Sequence, residues 1–98
     1  MKHSLNKINE IFKNAVKNHK EKKFNIAEKL YKELLDIDAK NINAILSIGS
    51  LYAEIKDFEK AKKYFIKGIK LEPSLTFAYF NLGLVHQELK FCHDQHDP

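Results

Sequence analysis

The sequence contains few residues that end or bend regular structure: three glycines and two prolines among 98 residues. A β-sheet protein needs many turns, so this scarcity favours long helices. The single cysteine, Cys92, excludes an internal disulfide framework and a zinc site built from several thiolates of one chain. Arginine is absent, so lysine supplies all 17 basic residues and the formal net charge of +4.

The positive charge is spread along the chain. Proteins that bind nucleic acids usually concentrate basic residues on one face, and they favour arginine for contacts with bases and phosphates. We therefore expect the lysines to serve solubility and do not expect a nucleic-acid partner.

Long apolar runs are also missing. No stretch approaches the ~18 consecutive apolar residues of a membrane span. The basic start, Met1–Lys7, is not followed by the apolar core of a signal peptide. With 44% hydrophobic and 31% charged residues, the chain is predicted to be one folded, soluble domain without membrane association, located in the cytoplasm.

Catalytic motifs are not found either. The sequence has no glycine-rich phosphate loop, G-x-S-x-G or H-E-x-x-H. His19 and His86 have no nucleophile or orienting acid beside them in the sequence. These features predict a protein that is not an enzyme and needs no cofactor.

The C-terminal residues 91–98 allow two interpretations. His93-x-x-His96 together with Cys92 contains ligand types suited to a metal ion. The adjacent acids and Pro98 disfavour a helix, so a disordered polar tail explains the same residues. We favour the tail and predict no metal site.

An internal repeat organises the rest of the chain. A shift of 34 residues places Ala27 on Ala61 and Tyr31 on Phe65, and a further shift places Gly49 on Gly83. Apolar residues within each unit recur at helical spacing, with Asn41 and Asp57 as candidate N-caps. The sequence therefore predicts five helices in one domain, residues 1–90, with repeats at about 8–41 and 42–75 and a half repeat at 76–90.

The spacing within these units resembles the tetratricopeptide repeat family. The middle unit has Ile45-x₂-Ile48-Gly49-x₂-Tyr52, then Ala61-x₃-Phe65, then Pro73, and the third begins Tyr79-x₂-Leu82-Gly83. The first unit is degenerate. The resemblance implies an all-α solenoid of antiparallel helix hairpins, about two and a half repeats long, that functions in protein–protein interaction.

What the resemblance further implies is a concave groove lined by the first helix of each unit, which binds a peptide or a helix of a partner protein or scaffolds a complex. A wider lining on the same helix faces includes His19, Glu54 and Glu88. Binding of an acidic chaperone tail is not expected, because the clamp positions offer only Asn81 and no basic residue. The predicted groove residues are largely apolar: Phe12, Val16, Leu46, Ser50, Phe77, Phe80, Leu84 and Gln87.

An alternative function follows from the half repeat. Its single helix lacks the second helix that would cover it, and an uncovered apolar face favours association. A homodimer is the simplest outcome, although a partner that caps this end, or a longer array of which this chain is a fragment, satisfies the same observation. The residues predicted for this interface are Tyr79, Leu82, Gly83 and His86.

Overall fold

The computed structural model describes the backbone of residues 2–96 and, within them, the side chains of residues 5–90. This part of the chain forms five helices and no strands, so the predicted all-α fold is confirmed. Neighbouring helices in the chain pack against each other as successive antiparallel pairs. The helices are α1 (Lys2–Lys20), α2 (Phe24–Ile37), α3 (Ile42–Glu54), α4 (Phe58–Leu71) and α5 (Thr76–His96).

Short polar turns separate the helices, and their chemistry follows from the sequence. The Asn41 side chain accepts a hydrogen bond of 3.0 Å from the backbone N–H of Ala44 and so caps α3. Asp57 caps α4 in the same way through the N–H of Lys60, at 3.4 Å. Both predicted N-caps are therefore confirmed.

The buried core repeats with the sequence. Ala27 and Ala61 are both fully buried, and so are Tyr31 and Phe65, which follow them by one helical turn. The small residue of each pair lets the helices approach, while the ring fills the space between them. The 34-residue spacing therefore corresponds to a repeat of packing as well as of sequence.

The two glycines of this register differ in their surroundings. A Cβ atom at Gly49 would lie 3.0 Å from the Phe65 ring, so α3 and α4 approach closely there. A Cβ atom at Gly83 would meet nothing within 4 Å. Helices therefore approach closely at Gly49 and not at Gly83, because no described helix lies over α5 as α4 lies over α3.

The fifth helix is longer than expected. The half repeat is predicted at residues 76–90, whereas the α5 backbone continues to His96, within the segment 91–98 predicted as a tail. No glycine or proline lies between Gly83 and Pro98 to stop the helix. Residues 97 and 98 lie outside the described residues.

None of the helices in the described part of the chain combines the length and the apolarity needed to cross a membrane.

Candidate functional site

A cavity of about 470 Å³ opens between α1, α3 and the start of α5. We call it the first cavity. Its apolar wall consists of Val16, Tyr31, Leu46 and Phe77. Its polar groups come from His19, Lys20, Lys22, Ser47, Ser50 and Glu54. The first cavity is thus more polar than the sequence predicts for the groove.

His19 stands at the centre of these polar groups. Its Nδ1 lies 3.0 Å from the Tyr31 hydroxyl, and its Nε2 lies 3.1 Å from Oε1 of Glu54. With the proton on Nε2, the ring donates to the Glu54 carboxylate and accepts from the Tyr31 O–H. Lys22 adds a weaker contact, with its Nζ 3.8 Å from Oε2 of Glu54. The two hydrogen bonds hold the imidazole through both of its ring nitrogens, and Lys22 contacts the carboxylate behind it.

The Tyr31 hydroxyl remains protonated in this setting. Burial raises the pKa of Tyr31, a contact with Ser47 lowers it, and the charge of Glu54 raises it further. A phenol held in its neutral form is a hydrogen-bond donor and a poor nucleophile. The arrangement therefore orders the cavity floor and does not activate an attacking group.

The partners of His19 were not predicted. No acid lies beside His19 in the sequence, yet Glu54, 35 residues further along the chain, contacts it across the groove. The available signal was that both residues fall on the lining face of a first helix in their repeats.

A second cavity of about 290 Å³ lies between α3, α4 and α5. It shares Ser50 and Glu54 with the first cavity, so the two form one continuous groove along α3. The apolar wall comprises Ala53, Phe58, Phe65, Leu84 and Val85. The other polar residues are Asn81 and Glu88.

Asn81 is the unusual member of the second cavity. Its Nδ2 atom is buried and has no hydrogen-bond partner among the described residues. An unsatisfied buried donor costs roughly 1–3 kcal/mol, so a ligand group that accepts from this amide gains binding energy.

The structure brings together most of the predicted groove residues. Val16, Leu46, Ser50 and Phe77 line the first cavity, and Ser50 and Leu84 line the second. The other three lie outside both cavities. Phe12 is half-buried against Tyr31, with ring centroids 6.3 Å apart, whereas Phe80 and Gln87 are exposed on α5.

The residues predicted for self-association lie along α5. Tyr79, Gly83 and His86 are exposed. Leu82 is half-buried and packs against the core, so it contributes to the fold as well as to this face. The candidate metal ligands Cys92, His93 and His96 lie outside the residues whose side chains are described.

Part of the chain is similar to a known sequence family. The sequence model described as tetratricopeptide repeat matches residues 42–75. No curated protein matches the chain at a significant level. Repeats of this kind generally mediate protein–protein interaction or scaffolding, and the family is generally non-catalytic. The match spans the α3–α4 hairpin, so residues 42–75 are similar to a tetratricopeptide repeat, and the packing of Ala27 and Tyr31 in α2 repeats that of Ala61 and Phe65 in α4.

Proposed function

We propose that the chain is a non-catalytic interaction module that binds a segment of a partner protein in the groove formed by α1, α3 and α5. The observation that carries this proposal is the continuity of the two cavities through Ser50 and Glu54. Exposed Phe77, Phe80 and Leu84 border or flank this groove on α5. A contiguous apolar surface of this kind is typical of an interface.

The groove is tested by selecting peptide ligands from a displayed library and mapping the best of them by NMR chemical shifts. We expect the shifts to cluster at Val16, Leu46 and Ser50, on the floor of the groove. Shifts confined to the outer faces of α2 and α4 would contradict the proposal.

A pair of variants separates the groove from the opposite face. Phe77→Ser removes an exposed ring from the first cavity and should weaken the selected peptides about tenfold or more, as expected for an aromatic contact residue. Ile26→Ser is the matched control, because Ile26 is comparably exposed (50% against 58% for Phe77) and lies on α2, outside both cavities. Equal effects of the two substitutions would argue against groove binding.

A second candidate function is self-assembly through the open face of α5. Gly49 is covered by the Phe65 ring, whereas its counterpart Gly83 is covered by nothing among the described residues. Residues 73–87 carry no Lys, Asp or Glu, and the same is true of residues 41–53, which include all of the central helix α3 except Glu54. A helical stretch without charges on any side is typical of a buried surface, so we infer that the uncharged part of α5, up to residue 87, pairs with a second copy.

Light scattering on a sizing column tests self-assembly, with reductant present and over a range of protein concentrations. We expect a dimer that Gly83→Leu weakens, because the new side chain would occupy the space that the second copy covers. The substitution should not disturb the monomer, because a Cβ atom at Gly83 meets nothing within 4 Å. Phe80→Ser is the control that should leave the dimer intact. A monomer at all concentrations would refute self-assembly and leave the groove proposal unaffected.

A further inference from the structure

The second cavity has a charge pattern of its own. Among the described residues that line it, two are carboxylates, Glu54 and Glu88, and none is a lysine or a histidine. The chain as a whole carries a formal net charge of +4. The second cavity is therefore an acidic site on a basic protein.

The two carboxylates differ in how far they are already neutralised. Glu54 faces His19 and Lys22 at the first cavity, at 3.1 and 3.8 Å. Glu88 makes no ion pair with any residue whose side chain is described. The unpaired charge of the groove thus lies at the α5 side of the second cavity, about two helical turns from Asn81.

The walls and the size of the second cavity limit what it accepts. Phe58, Leu84 and Val85 offer apolar contact, which suits the methylene stem of a long side chain. The volume of about 290 Å³ lies at the lower limit for small-molecule sites and suits one side chain better than a drug-sized ligand. The cavity is therefore shaped for a group with an apolar stem and a polar end.

We propose that the second cavity is a specificity pocket for one cationic side chain, lysine or arginine, of the partner segment. The stem packs between Phe58 and Leu84, and the charged end donates hydrogen bonds to Glu88 and Glu54. Rotation of the Asn81 amide presents its unsatisfied N–H to a backbone carbonyl of the same segment. The inference rests on the proposed function, because it assumes that the segment lies in the groove.

Three capped tripeptides test the pocket, acetyl-Leu-Arg-Leu-amide and its glutamine and glutamate counterparts. Each is titrated into the full chain and followed by NMR at the Asn81 side-chain amide and at Val16 and Leu46. We expect the arginine peptide to bind about fivefold more tightly than the glutamine peptide at low salt, with the glutamate peptide weakest. High salt should reduce this preference.

Two matched variants locate the charge effect. In Glu88→Gln, the dissociation constants of the arginine and glutamine peptides should differ by no more than about twofold, because the unpaired carboxylate is removed. Glu59→Gln is the control, since Glu59 is an exposed carboxylate on α4 outside both cavities. The proposed pocket would be wrong if the preference for arginine persisted in Glu88→Gln, or if it fell equally in Glu88→Gln and Glu59→Gln.

The outcomes separate the pocket from the groove. If all three peptides bind with equal affinity and shift the resonances of Val16 and Leu46, the cationic pocket is wrong and groove binding stands. If none of the peptides shifts any resonance, the pocket is wrong and the groove proposal loses support as well.

Discussion

Among individual residues, Glu28 and Tyr52 form the shortest hydrogen bond between described side chains. The Tyr52 hydroxyl donates to Oε2 of Glu28 at 2.6 Å, and Lys32 lies 3.5 Å from the same oxygen. This hydrogen bond is the main reason that the pKa of Glu28 lies below its usual value of 4.5, with burial opposing it. Burial, followed by the bond to Glu28, raises the pKa of Tyr52. The bond joins α2 to α3 across two repeats.

Because the pKa of Glu28 is lowered in the folded state, the contribution of the Tyr52–Glu28 hydrogen bond to stability depends on pH. A carboxyl group whose pKa is lower in the folded state stabilises that state above its unfolded pKa, and the stabilisation is lost as the pH falls through the folded value. Tyr52→Phe should therefore cost about 1 kcal/mol of unfolding free energy at pH 7. The difference from wild type should shrink below pH 4.5.

Urea denaturation at several pH values between 7 and 3 measures the effect of Tyr52→Phe. Glu28→Gln supplies the control, because removing the carboxylate should abolish most of the pH dependence of the tyrosine substitution. A cost that stays constant from pH 7 to pH 3 would show that Glu28 is not the partner that matters.

At the scale of elements, the two turns within the hairpins share a strained conformation. Lys22 and Lys56 have φ values of 65° and 66°, in the left-handed region, and lie at equivalent places in the first two units. A side chain in this region costs roughly 1–2 kcal/mol, which a glycine avoids. Lysine at these positions therefore lowers the stability of each hairpin.

Lys56→Gly should stabilise the chain. The relief of strain exceeds the added entropy of a glycine in the unfolded state by about 0.5 kcal/mol, which corresponds to a Tm rise of about 3 °C. The matched control is Lys67→Gly, at an exposed position inside α4, which should cost about 1 kcal/mol. Thermal unfolding followed by circular dichroism measures the Tm of both variants. An equal fall in Tm for Lys56→Gly and Lys67→Gly would show that Lys56 is not strained.

At the scale of the whole molecule, stability is concentrated in the middle of the array. The central helix α3 packs against α2 on one side and α4 on the other, and it contributes more buried residues than any other fully described helix. In a linear array each unit is stabilised by its neighbours, so the ends open more readily than the centre.

Hydrogen exchange should show this gradient. The amides of α3, around Ile48 and Leu51, should exchange most slowly, with opening free energies close to that of global unfolding. The amides near Leu5, at the exposed beginning of α1, should exchange fastest among those of the described helices. Uniform protection from α1 to α5 would mean that the repeats open only as one unit.

Much of the fold follows from the sequence alone. The helical spacing and the 34-residue register predicted the five helices, both N-caps and the paired core positions of Ala27 with Ala61 and Tyr31 with Phe65. These features are local or strictly repeated. The spacing of apolar residues shows which face of a helix is apolar. Helices at the same place in successive repeats bury the same face in the same way.

The site depended on tertiary structure. The bonds from His19 to Tyr31 and Glu54, and the placement of Phe12 against Tyr31, depend on the stagger and angle between helices. The open surface at Gly83 depends on which helix lies above it, although its sequence context matches that of Gly49. The sequence by itself determined which faces are buried, because burial follows the spacing of apolar residues. Only the packing of distant helices decided which side chains meet in the groove, because no spacing within one helix encodes a contact between two.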